Sequence, residues 1–192
     1  ELSKQGYNAF ALIYRPGAQT ACEDLARAIR FIFAHADELE VDTDCYSLWG
    51  GSAGARMAAW LGSYGAEAFG GGDLPRPGAV IMQYTGLGEY SPSDPPTYAC
   101  VGDQDGIASW RVMKARLDAL SALGIDTELA GHAGANRSHA AGRDRYGVSC
   151  VFRSGARLWT WDWNQRRRLD QRCRFLLGTA NEEITFGKDA FL

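Results

Sequence analysis

One stretch of small residues, Gly50-Gly51-Ser52-Ala53-Gly54, constrains this chain more than any other feature. It follows a short apolar, β-prone segment at residues 45–49 and precedes a good helix former at residues 55–61. A serine on a sharp turn between a strand and a helix is a nucleophile elbow, in which small neighbours avoid collisions around the strained serine. The pattern predicts that Ser52 lies at the top of a sheet, with the Ala53 N–H able to hold an oxyanion. The alternative is a glycine-rich turn before an ordinary helix.

Length and composition set broad limits on the rest of the chain. The 192 residues predict one domain or part of one, and an apolar fraction of 46% is enough for a core. The net charge of −3 does not favour a polyanionic partner, and no apolar run is long enough to span a membrane. The five cysteines are scattered and form no C-x-x-C pair, so neither a metal centre nor a disulfide framework is expected. Because the sequence starts at Glu1, inside what reads as a helix end, we expect an incomplete N-terminus, and the compartment stays unknown.

Apolar strands and helices alternate up to about residue 130. Strands are predicted at residues 7–14, 45–49, 79–84 and 98–101, and helices at 20–38, 55–61 and 109–123. Thr20 and Glu23 fit a capping box that would open the first helix. Strands separated by helices predict an α/β fold with a mostly parallel sheet and helices on both faces. Sites in such sheets form outside the carboxyl ends of the strands, where Ser52 is expected.

Two aspartates are expected at the same edge of the sheet as Ser52. They lie in the segment Val101-Gly102-Asp103-Gln104-Asp105-Gly106, directly after a predicted strand. A Ser-His-Asp triad needs a carboxylate that orients its histidine and stabilises the imidazolium. Asp105 is the preferred residue because it lies deeper in the loop and precedes a glycine, and Asp103 is the second candidate. The alternative is a polar turn whose aspartate caps the next helix.

The first two-thirds of the chain, residues 1–128, resemble bacterial α/β-hydrolase esterases of the acetyl-esterase and acetylxylan-esterase type. The matching pieces are LSKQGYNAF, YRPG, YSLWGGSAGARMAAWLGSYG, VGDQDGIA and ALGIDTE. The resemblance implies an α/β-hydrolase fold, incomplete at the N-terminus, that hydrolyses carboxylic esters of small molecules or carbohydrates without a cofactor. It also implies Ser52 as nucleophile, Asp105 as triad carboxylate and the Ala53 N–H as oxyanion donor. In that family a glycine-rich oxyanion loop comes just before a segment like residues 1–10, and this sequence lacks it.

The composition changes after about residue 131. Residues 1–130 carry 9 basic and 17 acidic residues, whereas residues 131–192 carry 11 basic and 6 acidic ones. Trp159, Trp161 and Trp163 each have the codon TGG, so reading one nucleotide later forces Gly-x-Gly-x-Gly. Suitable codons for residues 153–164 then give GLGHGFGLGTGT, the type of histidine loop that the resemblance requires. We therefore divide the chain into a partial α/β-hydrolase core at 1–130 and an atypical segment at 131–192, out of frame or poorly ordered.

The sequence as written offers three histidines, His35, His132 and His139. His35 falls in a predicted helix. His139 lies between small residues after the last predicted strand and is the preferred triad histidine, whereas His132 is a weaker candidate. The alternative for both is an ordinary loop histidine.

The function that these residues predict is hydrolysis of carboxylic esters through an acyl-enzyme. Because the oxyanion loop is missing and the histidine is displaced or absent, we expect this chain as written to be a poor or inactive esterase. Two alternatives remain open, a serine peptidase with the same triad and a catalytically defective hydrolase-fold protein. Taken literally, Arg166-Arg167-Arg168 and the nearby tryptophans suggest a basic, aromatic nucleic-acid patch, but no fold context supports it. We expect neither a nucleic acid nor a membrane as partner.

Overall fold

Six strands form one sheet in the computed structural model, which describes residues 7–132 and 175–179. The strands are β1 Asn8–Ala11, β2 Tyr46–Gly51, β3 Ala79–Gln83, β4 Thr97–Gly102, β5 Thr127–His132 and β6 Phe175–Thr179. Their order across the sheet is β1-β6-β2-β3-β4-β5, and every neighbouring pair is parallel. All carboxyl ends therefore lie at one edge, as the alternation of strands and helices predicted.

Three helices connect the strands along residues 7–132. They are α1 Ala18–Ala34, α2 Ala53–Tyr64 and α3 Trp110–Ala122, with a short 3₁₀ turn at Glu67–Phe69. Side chains of all three helices join one core cluster with alternate strand residues such as Leu48, Val80 and Val101. This burial of apolar side chains between the helices and one face of the sheet is the main stabilising contribution to the domain.

The opposite face of the sheet carries a second, smaller cluster. Trp49 and Ile81, each one position along from a residue of the main core, point to this face because side chains alternate along a strand. Both are almost fully buried, and Tyr7 and Tyr98 pack against them. No residue of α1, α2 or α3 belongs to this cluster. The sequence predicts helices on both faces of the sheet. Within residues 7–132 and 175–179, the structure has helices on one face.

The predicted capping box at Thr20 and Glu23 is wrong. Helix α1 begins two residues earlier, after Gly17, whose φ of 103° gives the chain its turn and whose carbonyl accepts the Ala21 N–H at 2.9 Å. A glycine adopts this left-handed backbone without steric cost. The Glu23 carboxylate instead accepts a hydrogen bond from Gln19 Nε2 at 3.0 Å, so it does not reach back to Thr20.

A buried ion pair ties α3 to the segment before β4. Arg116 Nη2 lies 2.5 Å from Asp94 Oδ2, and both side chains are 1% exposed. Ser63 Oγ, near the end of α2, also contacts the Asp94 carboxylate. Burial lowers the pKa of Arg116, and the Asp94 charge opposes that shift. The pair lies near the amino ends of the strands, away from the edge that carries Ser52.

Of the C-terminal segment 131–192, the structure describes residues 131–132 and strand β6. Strand β6 lies between β1 and β2, with Leu177 opposite both Phe10 and Leu48. The expectation that this segment is out of frame or poorly ordered stays a prediction.

Cys45, directly before β2, is disulfide-bonded, a link that the scattered cysteine spacing did not predict. Within the described ranges, no helix has the length and apolar character needed to cross a membrane.

Candidate active site

Ser52 occupies the turn between β2 and α2, as the five-residue motif predicted. Its φ of 54° and ψ of −114° lie in a region that non-glycine residues rarely adopt. Two backbone hydrogen bonds hold the turn: Ser52 N–H donates to Gln83 O at 2.9 Å, and Arg56 N–H donates to Ser52 O at 3.4 Å. Such strain persists only where the surroundings enforce it, and it concentrates at functional sites.

The glycines beside Ser52 are required by the space around the turn. A Cβ atom on Gly50 would overlap the Gly54 carbonyl group, so the first turn of α2 packs directly on β2. A Cβ atom on Gly51 would lie 2.5 Å from Tyr84 Oη and 2.8 Å from its Cζ. Side chains at either position would force the turn or its neighbours to move, since real Cβ atoms do not come this close to other atoms.

Ala53, the predicted oxyanion donor, is the first residue of α2. The first N–H groups of a helix have no partner within the helix, and the helix dipole favours negative charge at this end. A backbone N–H at this position, one residue after the serine, is suited to a developing oxyanion. The chemistry available at the turn is therefore a hydroxyl next to a hydrogen-bond donor for negative charge.

The two candidate aspartates differ in burial. Asp105 is 9% exposed, and its Oδ1 accepts hydrogen bonds from Ile107 N at 2.8 Å and Ala108 N at 2.9 Å. Its own N–H donates to Gly102 O at 3.2 Å, so the loop is closed on the end of β4. Asp103 is only half-buried. Asp105 is thus the more buried of the two carboxylates, and two backbone N–H groups hold its Oδ1.

The three histidines lie in different parts of the chain. His35 caps the end of α1, where its Nδ1 lies 2.8 Å from Phe31 O and its ring stacks on Phe31 at 4.1 Å. Because α1 runs against the strands, this position is at the amino edge of the sheet, opposite Ser52. His132 ends β5 and pairs with Gly102 of β4. His139 lies outside the described residues.

Tyr84 is a site residue that the sequence analysis missed. It directly follows β3 at the carboxyl edge, has a φ of 37°, and donates its N–H to Cys100 O at 2.8 Å. Its ring packs next to Gly51, one residue before Ser52. A tyrosine after an apolar strand has no sequence signal that separates it from an ordinary core aromatic residue.

Comparison with a family model gives one partial match. The BD-FAE family matches residues 1–74, a part of the chain that includes β1, α1, β2 and α2 with the Ser52 turn. The search of curated proteins gave no match.

Solved structures match over a larger part of the chain. The esterase Est2 of the planctomycete Thermogutta terrifontis, solved with propionate bound, has 18% identity and a TM-score of 0.59 over 79% of this chain, which spans 66% of Est2. MGS-M1, an α/β-hydrolase enzyme from a Medee basin deep-sea metagenome library, has 19% identity and a TM-score of 0.64, covering 86% of this chain and 72% of its own. An acetyl ester-xyloside bifunctional hydrolase from Caldicellulosiruptor lactoaceticus has 18% identity and a TM-score of 0.67, covering 88% and 74%. At these identities the likeness concerns the fold, and the predicted α/β-hydrolase fold is confirmed.

Proposed function

We propose that this chain, which has the α/β-hydrolase fold, hydrolyses carboxylic esters through an acyl-enzyme on Ser52. The observation that carries the proposal is the strained backbone of Ser52 in the turn between β2 and α2. Ser52 Oγ attacks the acyl carbon while a histidine takes its proton, and that proton leaves with the alcohol. Water then attacks the acyl-enzyme, the same histidine takes a proton from it, and Ser52 and the acid are released. The Ala53 N–H stabilises the oxyanion in both steps.

Asp105 is proposed as the carboxylate that orients this histidine. Its loop follows β4, two strands from β2, which corresponds to about 10 Å between the strand ends. A histidine ring placed between two side chains from these ends bridges such a gap. The greater burial of Asp105 supports it over Asp103, because a carboxylate shielded from water holds and stabilises the imidazolium more strongly.

His139 is proposed as the general base because of its reach. The ends of β2 and β5 are three strands apart, about 14 Å, which is farther than an imidazole at His132 extends from the end of β5. Seven further residues span up to about 23 Å when extended, so a loop after β5 is long enough to bring His139 above Ser52. For the same reason His132, at the end of β5, is too far from Ser52 to act as its base, and His35 lies at the wrong edge of the sheet.

Esters of small molecules or carbohydrates are the proposed substrate class. Support comes from the comparisons, since one similar structure is an esterase with propionate bound and another is an acetyl ester-xyloside hydrolase. The proposed chemistry uses only side chains and backbone N–H groups and needs no cofactor. Amide hydrolysis by the same triad, the peptidase alternative, is tested by including a p-nitroanilide substrate in the assay.

The test replaces Ser52 by alanine in the full chain. Ser52→Ala should reduce p-nitrophenyl acetate hydrolysis to the uncatalysed rate, because no other group supplies the nucleophile. Ser93→Ala, in an exposed loop, is the matched control and should keep the wild-type rate. A fluorophosphonate should add to Ser52, as identified by peptide mass spectrometry. Most of the hydrolysis surviving in Ser52→Ala would contradict the proposal.

A pair of asparagine variants tests the carboxylate. Asp105→Asn keeps an oxygen for the Ile107 and Ala108 N–H groups but loses the charge, so kcat should fall by about 10² to 10⁴. Asp103→Asn serves as the neighbouring control and should change kcat by less than about threefold. If the larger loss occurred in Asp103→Asn, the roles of the two aspartates would have to be exchanged.

A further inference from the structure

Tyr84 combines a strained backbone with a position beside the Ser52 turn. Among the described residues, Glu40, Ser52 and Tyr84 are the non-glycine residues with positive φ. Tyr84, at 37°, carries a bulky side chain for which this conformation is unusual. Ser52 and Tyr84 lie at the ends of adjacent strands, so two of the three strained residues are neighbours at one edge. Strain of this kind is kept only where other contacts enforce it.

Backbone hydrogen bonds connect the end of β3 to both of its neighbours. Gln83 O accepts the Ser52 N–H at 2.9 Å, and the next residue donates its own N–H to Cys100 O at 2.8 Å. The single peptide group that joins Gln83 to Tyr84 thus binds the serine turn through its carbonyl and β4 through its N–H. This arrangement holds the backbone of Tyr84 in place, and the ring it carries lies against Gly51.

The Tyr84 ring and helix α2 confine the serine turn from opposite sides. Gly50 faces α2, where its missing Cβ leaves room for the Gly54 backbone. Gly51 faces the other side of the sheet, where its missing Cβ leaves room for the Tyr84 ring, with Oη and Cζ nearest. The turn that carries Ser52 is therefore held between a helix and an aromatic ring. At both glycines, the neighbouring atoms occupy the space that a Cβ atom would need.

We propose that Tyr84 is a positioning residue for Ser52: its ring, held by a strained backbone against Gly51, fixes the turn from which the serine acts. The contact itself is independent of any reaction, whereas its effect on catalysis rests on the proposed esterase function. A phenylalanine would keep the Cζ and Cε2 part of this contact and lose Oη, so most of the positioning should remain with the ring.

The first experiment measures the contact by thermal unfolding, without using activity. Gly51→Ala should lower Tm by about 3 to 10 °C, since its Cβ collides with the ring. In a Tyr84→Ala background the same change should lower Tm by less than about 2 °C, because the obstruction is gone. Gly62→Ala, whose Cβ meets Val80 and Pro95 instead, is the control and should have the same effect in both backgrounds. Equal effects of Gly51→Ala in both backgrounds would overturn the proposal.

The second experiment measures positioning by separating kcat from KM with p-nitrophenyl acetate. Tyr84→Leu, used in case the alanine variant fails to fold, should lower kcat by about 10- to 100-fold and change KM by less than about threefold. Tyr84→Phe should recover kcat to within about threefold of wild type, and Tyr90→Ala, at an exposed tyrosine, is the control. An unchanged kcat in Tyr84→Leu of an active enzyme would refute the positioning role. A wild type that neither hydrolyses the ester nor reacts with the fluorophosphonate would instead refute the proposed function, and the Tm comparison would still decide the contact.

Discussion

Removing the charge of Asp94 should destabilise the domain strongly, because it leaves Arg116 buried without its partner. The two side chains are each 1% exposed and meet at 2.5 Å. Asp94→Asn is the sharpest perturbation, since an asparagine keeps the shape and an oxygen for the Ser63 contact while losing the charge. The change therefore isolates electrostatics from packing.

The magnitude follows from two opposing terms. At an effective dielectric constant of about 20, two charges 2.5 Å apart attract by about 7 kcal/mol, while desolvation costs several kcal/mol for each ion. The intact pair therefore contributes little to the free energy of unfolding, whereas a single buried charge without its partner lowers it strongly. Loss of one partner typically costs about 3–5 kcal/mol, which in a domain of this size lowers Tm by roughly 6–20 °C.

The assay is urea and thermal unfolding of four proteins followed by circular dichroism. The double variant Asp94→Leu with Arg116→Met removes both charges and should lie within about 2 kcal/mol of wild type. Asp118→Asn breaks the exposed pair with Lys114 on the same helix and should cost less than about 0.5 kcal/mol. An Asp94→Asn variant that unfolds like Asp118→Asn would contradict this expectation, and so would a double variant that is less stable than Asp94→Asn.

Three further outcomes are expected. Burial raises the pKa of the Cys22 thiol to about 11 and that of Cys100 to about 12, so both should resist iodoacetamide at pH 8 in the folded protein and react in urea. The Arg15 side chain lowers the pKa of Asp24, so Asp24→Asn should be less stable than wild type at neutral pH. This difference in the free energy of unfolding should shrink as the pH falls below about 4, as measured by unfolding across pH. Leu177→Pro should lower the free energy of unfolding by about 3 kcal/mol or more, because β6 has paired strands on both sides; wild-type stability in urea would show that β6 does not hold the sheet together.

Local features of the sequence were sufficient to predict the parallel sheet and the serine turn. Alternating apolar segments predicted a parallel α/β sheet, and five small residues predicted the turn at Ser52, since both depend on neighbours within a few residues. The Asp105 loop was also located from its position after a strand. The start of α1 was predicted wrongly, because the side-chain pattern at Thr20 competed with a glycine turn that dominates the backbone.

Contacts between distant segments were decided only by the tertiary structure. The Asp94–Arg116 pair joins residues 22 positions apart, and the Tyr84 ring meets Gly51 only because β2 and β3 are adjacent. The position of β6 between β1 and β2 likewise follows from strand pairing across nearly the whole chain. A periodic pattern specifies which face of an element is buried, but which elements then meet depends on packing the whole sheet against its helices.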